Sequence, residues 1–434
     1  MAADRAVRET RNDHTAVPLT WERSVSPAYT YLGDRPPTVD ELTAEITTLA
    51  REHADVCEVV TIGKSRRGED LTMLIVPGNG PTIQVVGGPH PNEPVGLATV
   101  TALARYVVTS PDVQRCSWYL LPCIDPDGAR LNEAWWSAVG GPTLESYHRG
   151  FFRPAEADQP DWGLPRAGFD GVLPEGQAVA DAIDRAAPDC LVSLHNSDTG
   201  GVFCLSAATN ATLVPLLMGA SARHGLPVEV DPSDAIEWAS PGPGVHVLPP
   251  AEQMSPTPGS GRRPFGASSV HHAHARGATL AFATETPMWT SSPHDFPAED
   301  AARHLEDTAA ILTRAAALLT PREDDAFLPA ITDRLGIHSL MAAVYRRSPE
   351  AGSGQDLAHL GPLRTAGMVL RALDTELAHA ADPALKAARD EVDAHFVRWL
   401  AAAETALRPE PIPLARAAGF QLDLVLSAAE AVTG

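Results

Sequence analysis

His90 and Glu93 stand three residues apart in the stretch 82–100, TIQVVGGPHPNEPVGLATV. A neutral imidazole and a carboxylate at that spacing can turn toward one cation, and together they make half of a catalytic zinc site. The pair also has a plainer reading, as a surface histidine and a glutamate favoured by the positive end of a helix. The flanking elements decide whether the two can converge. Upstream, 83–86 is a short apolar run rich in β-branched residues and closed by Gly87-Gly88-Pro89. That pattern predicts a buried strand entering a tight turn. Downstream, Pro94 stands where a helix would begin, and the apolar residues of VGLATVTALARYVV continue it. The pair therefore sits on a stiff loop at the carboxyl end of a strand, the edge of an open α/β sheet where ligands bind.

The segment GGPHPNE, with a strand before it and a helix after it, resembles the first metal motif of the zinc carboxypeptidase (M14) family. The resemblance implies that His90 and Glu93 are zinc ligands, that a later His is the third, and that a still later Glu is the general base. Ser193-Leu194-His195-Asn196 ends an apolar run and is similar to the third-ligand segment, which points to His195. Thr284-Glu285-Thr286-Pro287 ends the apolar run ATLAFAT and resembles the segment carrying the base, which points to Glu285. Asp125-Pro126-Asp127-Gly128 looks like the family's Asn-Pro-Asp-Gly, with Asp in place of Asn. His148-Arg149-Gly150-Phe151 is the nearest match to Asn-Arg-x-Phe, whose arginine grips a substrate carboxylate. This implies substrate binding by His148 and Arg149, with Arg153 as competitor. Arg130 lies in the interval where the family places the arginine that polarises the scissile carbonyl. The cluster His271, His272 and His274 falls where the family lines its pocket, so lining by His271 or His272 is expected rather than metal ligation. Val270 is matched to the bottom of the side-chain pocket. One family feature has no counterpart: the Tyr of the mobile loop falls near Arg263, beside Arg262, and no Tyr lies between Tyr147 and Tyr345.

The fold class implied is α/β, a mixed β-sheet flanked by helices, over residues 26–320. The activity implied is a zinc hydrolase, with one zinc per chain, that cleaves an amide bond next to a free carboxylate in a peptide or peptide-like substrate. Zinc lowers the pKa of its water to about 7; Glu285 would take the proton and pass it to the leaving amine. Arg130 would help zinc stabilise the oxyanion. Two other readings stay open: an aspartoacylase-like deacylase of acyl-amino acids, and a non-catalytic binding module on the same scaffold.

Composition bounds the rest. A chain of 434 residues, 44% hydrophobic, can bury a large core. A formal net charge of −22 argues against nucleic acid or an anionic membrane as partner. No apolar run is long enough to span a bilayer. The polar opening MAADRAVRETRNDHT lacks the apolar stretch of a signal peptide. The five scattered cysteines read as reduced core thiols, and a cytoplasmic location is expected. Residues 1–25 read as a flexible arm. Thr38 and Glu41 form a capping-box pattern for a helix through Arg51, and the runs VVTIG and LTMLIV a hairpin. A strand is expected over 118–124, a turn at DPDG, and a long loop near the cleft over 151–174. Another helix is expected over 175–187 and a lid or specificity loop over 225–266. The helix over 298–319 is expected to close the catalytic domain. Beyond it, 321–434 reads as a small helical extension with a linker around 347–355. Its apolar stripes are available to each other, to the catalytic domain or to a homodimer.

Overall fold

The structure is a computed structural model and describes residues 27–433 apart from 111–114, 139, 257–261, 293–295, 323–324 and 349–354. The expected arm at 1–25 and most of the expected linker lie outside the described residues. The first half of the chain runs α1 (Val39–Glu52), β1 (Glu58–Lys64), β2 (Asp70–Val76), β3 (Thr82–Val86), α2 (Val95–Thr109), β4 (Ser117–Leu121), α3 (Pro126–Arg130), α4 (Glu133–Trp136), α5 (Leu144–Gly150), α6 (Pro174–Ala186), β5 (Cys190–Leu194) and β6 (Phe203–Ser206). Then follow α7 (Leu213–His224), β7 (Val245–Val247), α8 (Ala251–Met254), α9 (Ser269–Ala275), β8 (Leu280–Glu285), β9 (Trp289–Thr290), α10 (Ala298–Ala316), α11 (Phe327–Arg347), α12 (Gln355–His379), α13 (Pro383–Leu407), β10 (Glu410–Pro411) and α14 (Leu414–Thr433).

Eight strands form one mixed sheet in the order β1-β2-β4-β3-β5-β8-β6-β7. Its centre is parallel: β3 pairs with β4 and β5, and β5 with β8, so four carboxyl ends lie side by side. Side chains of a strand alternate between faces. Ile83 and Val85 enter one apolar cluster, and Val86 enters the other. Helices α2, α7 and α14 cover the first face, α6 and α9 the second. This is the mixed sheet flanked by helices that the sequence implies, with a helical region after it.

Local signals hold closely. Thr38 and Glu41 close a full capping box on α1, and the β1–β2 hairpin is antiparallel as expected. Two spans differ. Strand β4 stops at Leu121, because the Ile124 amide turns away to bond Gly87 O. DPDG is a helix start rather than an isolated turn: Asp125 Oδ1 accepts from the Gly128 amide and caps α3. A longer-range expectation is also corrected. Helix α10 does not close the sheet layer but packs on α11, α12 and α13. The covering helix is α14, which lies on α2, α7 and β5. One continuous apolar cluster joins Val85 and Val192 of the sheet to Leu363, Phe420 and Val425. Residue 320 therefore marks a change of composition, not a gap in the core. Of the three alternatives left to these stripes (each other, the catalytic domain or a homodimer), burial within the chain accounts for Val392 and Phe396 of α13. Among the described residues no helix is long and apolar enough to cross a membrane. All five cysteines are unpaired.

Candidate active site

Three segments deliver side chains to the carboxyl edge of β3, β5 and β8. The loop after β3 carries His90 and Glu93, the residue after β5 is His195, and β8 ends on Glu285. One nitrogen from each histidine and one oxygen of Glu93 lie within 4.8 Å of one another. Close packing makes this possible: a Cβ on Gly96 would stand 2.7 Å from Leu194 O, so α2 can approach β5 only with glycine there. Asn196 Oδ1 then accepts from the Val95 amide at 3.1 Å, satisfying an open donor at the start of α2. Glu93 Oε2 accepts from the Asn196 amide at 3.2 Å and sits 3.2 Å from His195 Nδ1. His195 Nε2 is 3.0 Å from Ser193 Oγ and 3.7 Å from Asp161 Oδ2. Glu285 Oε1 is 3.8 Å from His195 Nδ1. His90 is buried, and its Nδ1 has no hydrogen-bond partner.

The charges at this edge do not balance. Burial, followed by the nearby Glu93 carboxylate, pushes Glu285 up to about 8. For His195, burial favours the neutral ring but is outweighed by the hydrogen bond to Glu93 and by the fields of Glu93, Glu285 and Asp161, so its pKa rises to about 9. Burial, helped by Arg153, His195 and Arg334, holds His90 well below the usual histidine range. A neutral histidine with an unused buried nitrogen, a second histidine and a carboxylate fit a catalytic zinc site by donor type.

Residues 42–149 match the zinc carboxypeptidase family. The match covers about a quarter of the chain. The segment is also similar to zinc carboxypeptidase A 1 of Anopheles gambiae, at 29% identity over 111 residues, or 23% of this chain and 25% of that protein. The match thus spans a quarter of the curated relative's length. Among solved structures, carboxypeptidase A from Helicoverpa armigera is 15% identical, with 73% of this chain and 74% of that one aligned and a TM-score of 0.40. A metallo-carboxypeptidase from Burkholderia cenocepacia is 15% identical over 73% and 70% of the two chains, with a TM-score of 0.39.

Two cavities flank Glu285, and they share Arg153, Asp234 and Glu285. One, of about 210 Å³, has Val270, Leu248, Met254, Trp162 and Trp238 among its walls, with Asp161 beside His195. The other, of about 120 Å³, is polar and takes in Asn92, Asp198, Thr199 and Arg364. Val270 therefore lines a cavity. His271 does not line either: its Nε2 bonds Pro249 O at 2.9 Å and its Nδ1 meets Ser268 Oγ at 2.7 Å. His272 bonds Asp184 at 2.9 Å, away from the metal cluster. His148 is fully buried behind the site, with Nδ1 2.7 Å from Leu144 O and Nε2 3.8 Å from Asp198.

The structure brings neither Arg130 nor Arg149 to the cavities. Arg130 is held by Glu69 and Asp40, both at 2.7 Å. Arg149 points the other way, to Glu145 and to Asp393 of α13, each at 2.8 Å, with its guanidinium 4.4 Å from the centre of the Phe396 ring. Acidic and aromatic groups from distant sequence have captured both. Arg153 is the arginine that arrives, with Nη1 2.8 Å from Glu93 Oε1. At the position matched to the missing Tyr, Arg263 pairs with Asp158, and Arg262 with Glu156 and Asp333. Sequence reasoning missed Asp161, Asp198 and Arg364. The loop over 151–174, expected near the cleft, was the signal for Asp161; Arg364 lay hidden in an amphipathic helix.

Proposed function

We propose that the protein is a zinc-dependent hydrolase of the carboxypeptidase type, cleaving an amide bond next to a free carboxylate in a peptide or peptide-like substrate. The observation that carries this reading is the convergence of His90, Glu93 and His195 on the strand edge where Glu285 ends β8. His90, Glu93 and His195 would hold the zinc. When bound, zinc supplies Lewis acidity, which acidifies water and polarises a carbonyl. Ser193 and Asp161 flank His195 Nε2 and orient its ring, leaving Nδ1 to the carboxylate side. Glu285, raised by its surroundings, accepts a proton from water and returns it to the leaving amine. Arg153, which lines both cavities, would stabilise charge that develops on the carbonyl oxygen. The apolar cavity ending on Val270 suits a neutral terminal side chain. The unpaired cysteines support a reducing, cytoplasmic setting.

Elemental analysis tests the foundation. The purified chain should carry about one zinc, and His195→Ala should lose most of it, whereas His274→Ala should keep it. Unchanged zinc in His195→Ala would remove these residues as the metal site.

A further inference from the structure

The polar cavity has walls that the hydrolysis reading leaves unused. Six carboxyls line it, those of Glu93, Asp198, Glu229, Asp234, Glu285 and Asp356, against the two guanidiniums of Arg153 and Arg364. Both guanidiniums are already matched, Arg153 to Glu93 at 2.8 Å and Arg364 to Asp198 at 2.7 Å. Asp356 accepts from Thr199 Oγ1 at 2.7 Å. Neither Glu229 nor Asp234 has a cation. Asp234 belongs to both cavities, is exposed, and has no hydrogen bond or ion pair among the described residues. The Glu229 carboxylate accepts only from the Asp231 amide, at 3.4 Å. It reaches the cavity beside Gly200, whose φ is +102° and where a Cβ would come within 2.9 Å of Glu229 Oε2.

Two buried amides in the same walls narrow the ligand. Asn92 and Asn196 are each 2% exposed. The Tyr147 hydroxyl donates to Asp198 at 2.6 Å, so it accepts from Asn92 Nδ2 at 3.2 Å. That fixes the Asn92 amide and leaves Oδ1, an acceptor, without a partner. Asn196 is fixed the other way: its Oδ1 accepts from the Val95 amide, and Nδ2, a donor, has no partner. Buried polar atoms left unpaired are costly, and a ligand that pairs both removes the penalty. Beside two carboxylates without cations, the matching group carries an ammonium and a carbonyl oxygen. An α-aminoacyl group has both, and Phe203, Leu357 and Leu360 in these walls suit its side chain.

We propose that the polar cavity is a subsite for an α-aminoacyl group with a free ammonium, so that the substrate is a short peptide whose amino terminus adjoins the bond cut. The reading rests on the hydrolase assignment and names its substrate class. The ammonium is held by Glu229, Asp234 and Asn92 Oδ1, and the carbonyl oxygen accepts from Asn196 Nδ2. Glu229 and Asp234 come from the stretch 225–266, expected to be a lid or specificity loop, beyond the segment that matches the family.

Calorimetric titration of the zinc-loaded full chain with L-alaninamide and L-lactamide reads the subsite without turnover. The probes share an amide and a methyl group and differ in an ammonium against a hydroxyl. At about pH 6.5 an α-amino group, of ordinary pKa about 7.7–8.0, is charged. L-Alaninamide should bind the wild type roughly tenfold more tightly than L-lactamide, or better. Asp234→Asn should remove most of that preference at unchanged zinc content and unchanged L-lactamide affinity, and Asp234→Glu should recover part of it. Equal affinity of the wild type for the two probes overturns the subsite even if no variant folds. So does a folded Asp234→Asn that keeps the full preference, since the amine then sits on the metal alone. Tighter binding of 4-aminobutanamide, whose ammonium stands a side chain's length from its carbonyl, overturns the α placement. Zinc content separates the two proposals: a zinc-bearing protein indifferent to the ammonium loses only the subsite, whereas a protein that takes up no zinc loses the hydrolase reading and the substrate class with it.

Discussion

Glu285 and Asp125 are both buried carboxyls whose surroundings favour the proton, and they have different consequences. At Glu285 the raised pKa suits the proposed role, because a base that holds its proton near neutrality can also deliver it. Glu285→Gln should keep its zinc and its fold but lose roughly 10²–10⁴-fold in kcat against the true substrate; near wild-type turnover would assign the base elsewhere. At Asp125, burial pushes the pKa up to about 7, and Oδ2 has no hydrogen bond. Between the ordinary value of 3.8 and 7 the folded chain keeps a proton that the unfolded chain has released. Stability therefore falls as pH rises through that window, and the full penalty is present above it. Asp125→Asn keeps an acceptor for the Gly128 amide and should flatten that part of the stability–pH curve, with a gain on the order of 1 kcal/mol or more above pH 7. Unfolding measured from pH 4 to 8 would expose the error if both proteins keep the same slope. His90, Glu93, His195 and Glu285 were legible in the sequence because each is tied to a strand end by its immediate neighbours. Arg149 was not, because Asp393, which captures it, lies 244 residues away.

Among the elements, α14 does most to fix the site from outside it. Gln421 is fully buried; its Nε2 donates to His195 O at 2.7 Å, and its Oε1 accepts from Thr99 Oγ at 2.7 Å. One amide thus ties the residue after β5 to α2, the helix that follows Glu93. Gln421→Leu should leave those groups unsatisfied and cost roughly 1–3 kcal/mol. It should also speed zinc loss to a chelator. A lowered Tm with an unchanged rate of zinc loss would show that the bond stabilises the fold without steadying the ligand. Helix positions after residue 320 were readable from their apolar spacing. Which neighbour each stripe meets was not, since α10, α12, α13 and α14 all offer alanine-rich apolar faces and periodicity carries no partner label.

At the scale of the molecule, the sheet and its strand-edge site were visible early because parallel strands are near-continuous apolar runs punctuated by Gly and Pro. The division of labour was not. The family match ends at residue 149, yet His195, Glu285, Arg364 and the covering helix all come later. The chain interleaves its two regions instead of appending one to the other: α5 packs on α12, and the polar cavity takes walls from both.

The brace from Gln421 has a temporal side. Protein synthesis runs from the amino terminus, so His90, Glu93, His195 and Glu285 leave the ribosome well before α14 exists. Until residues 414–433 emerge, one face of the sheet has no roof over Val85 and Val192, and His195 lacks its external tie. A nascent chain at that stage presents a sticky apolar face of the kind chaperones engage. Assembly of the proposed metal centre would thus be complete only once α14 has docked, although α14 supplies none of the candidate ligands.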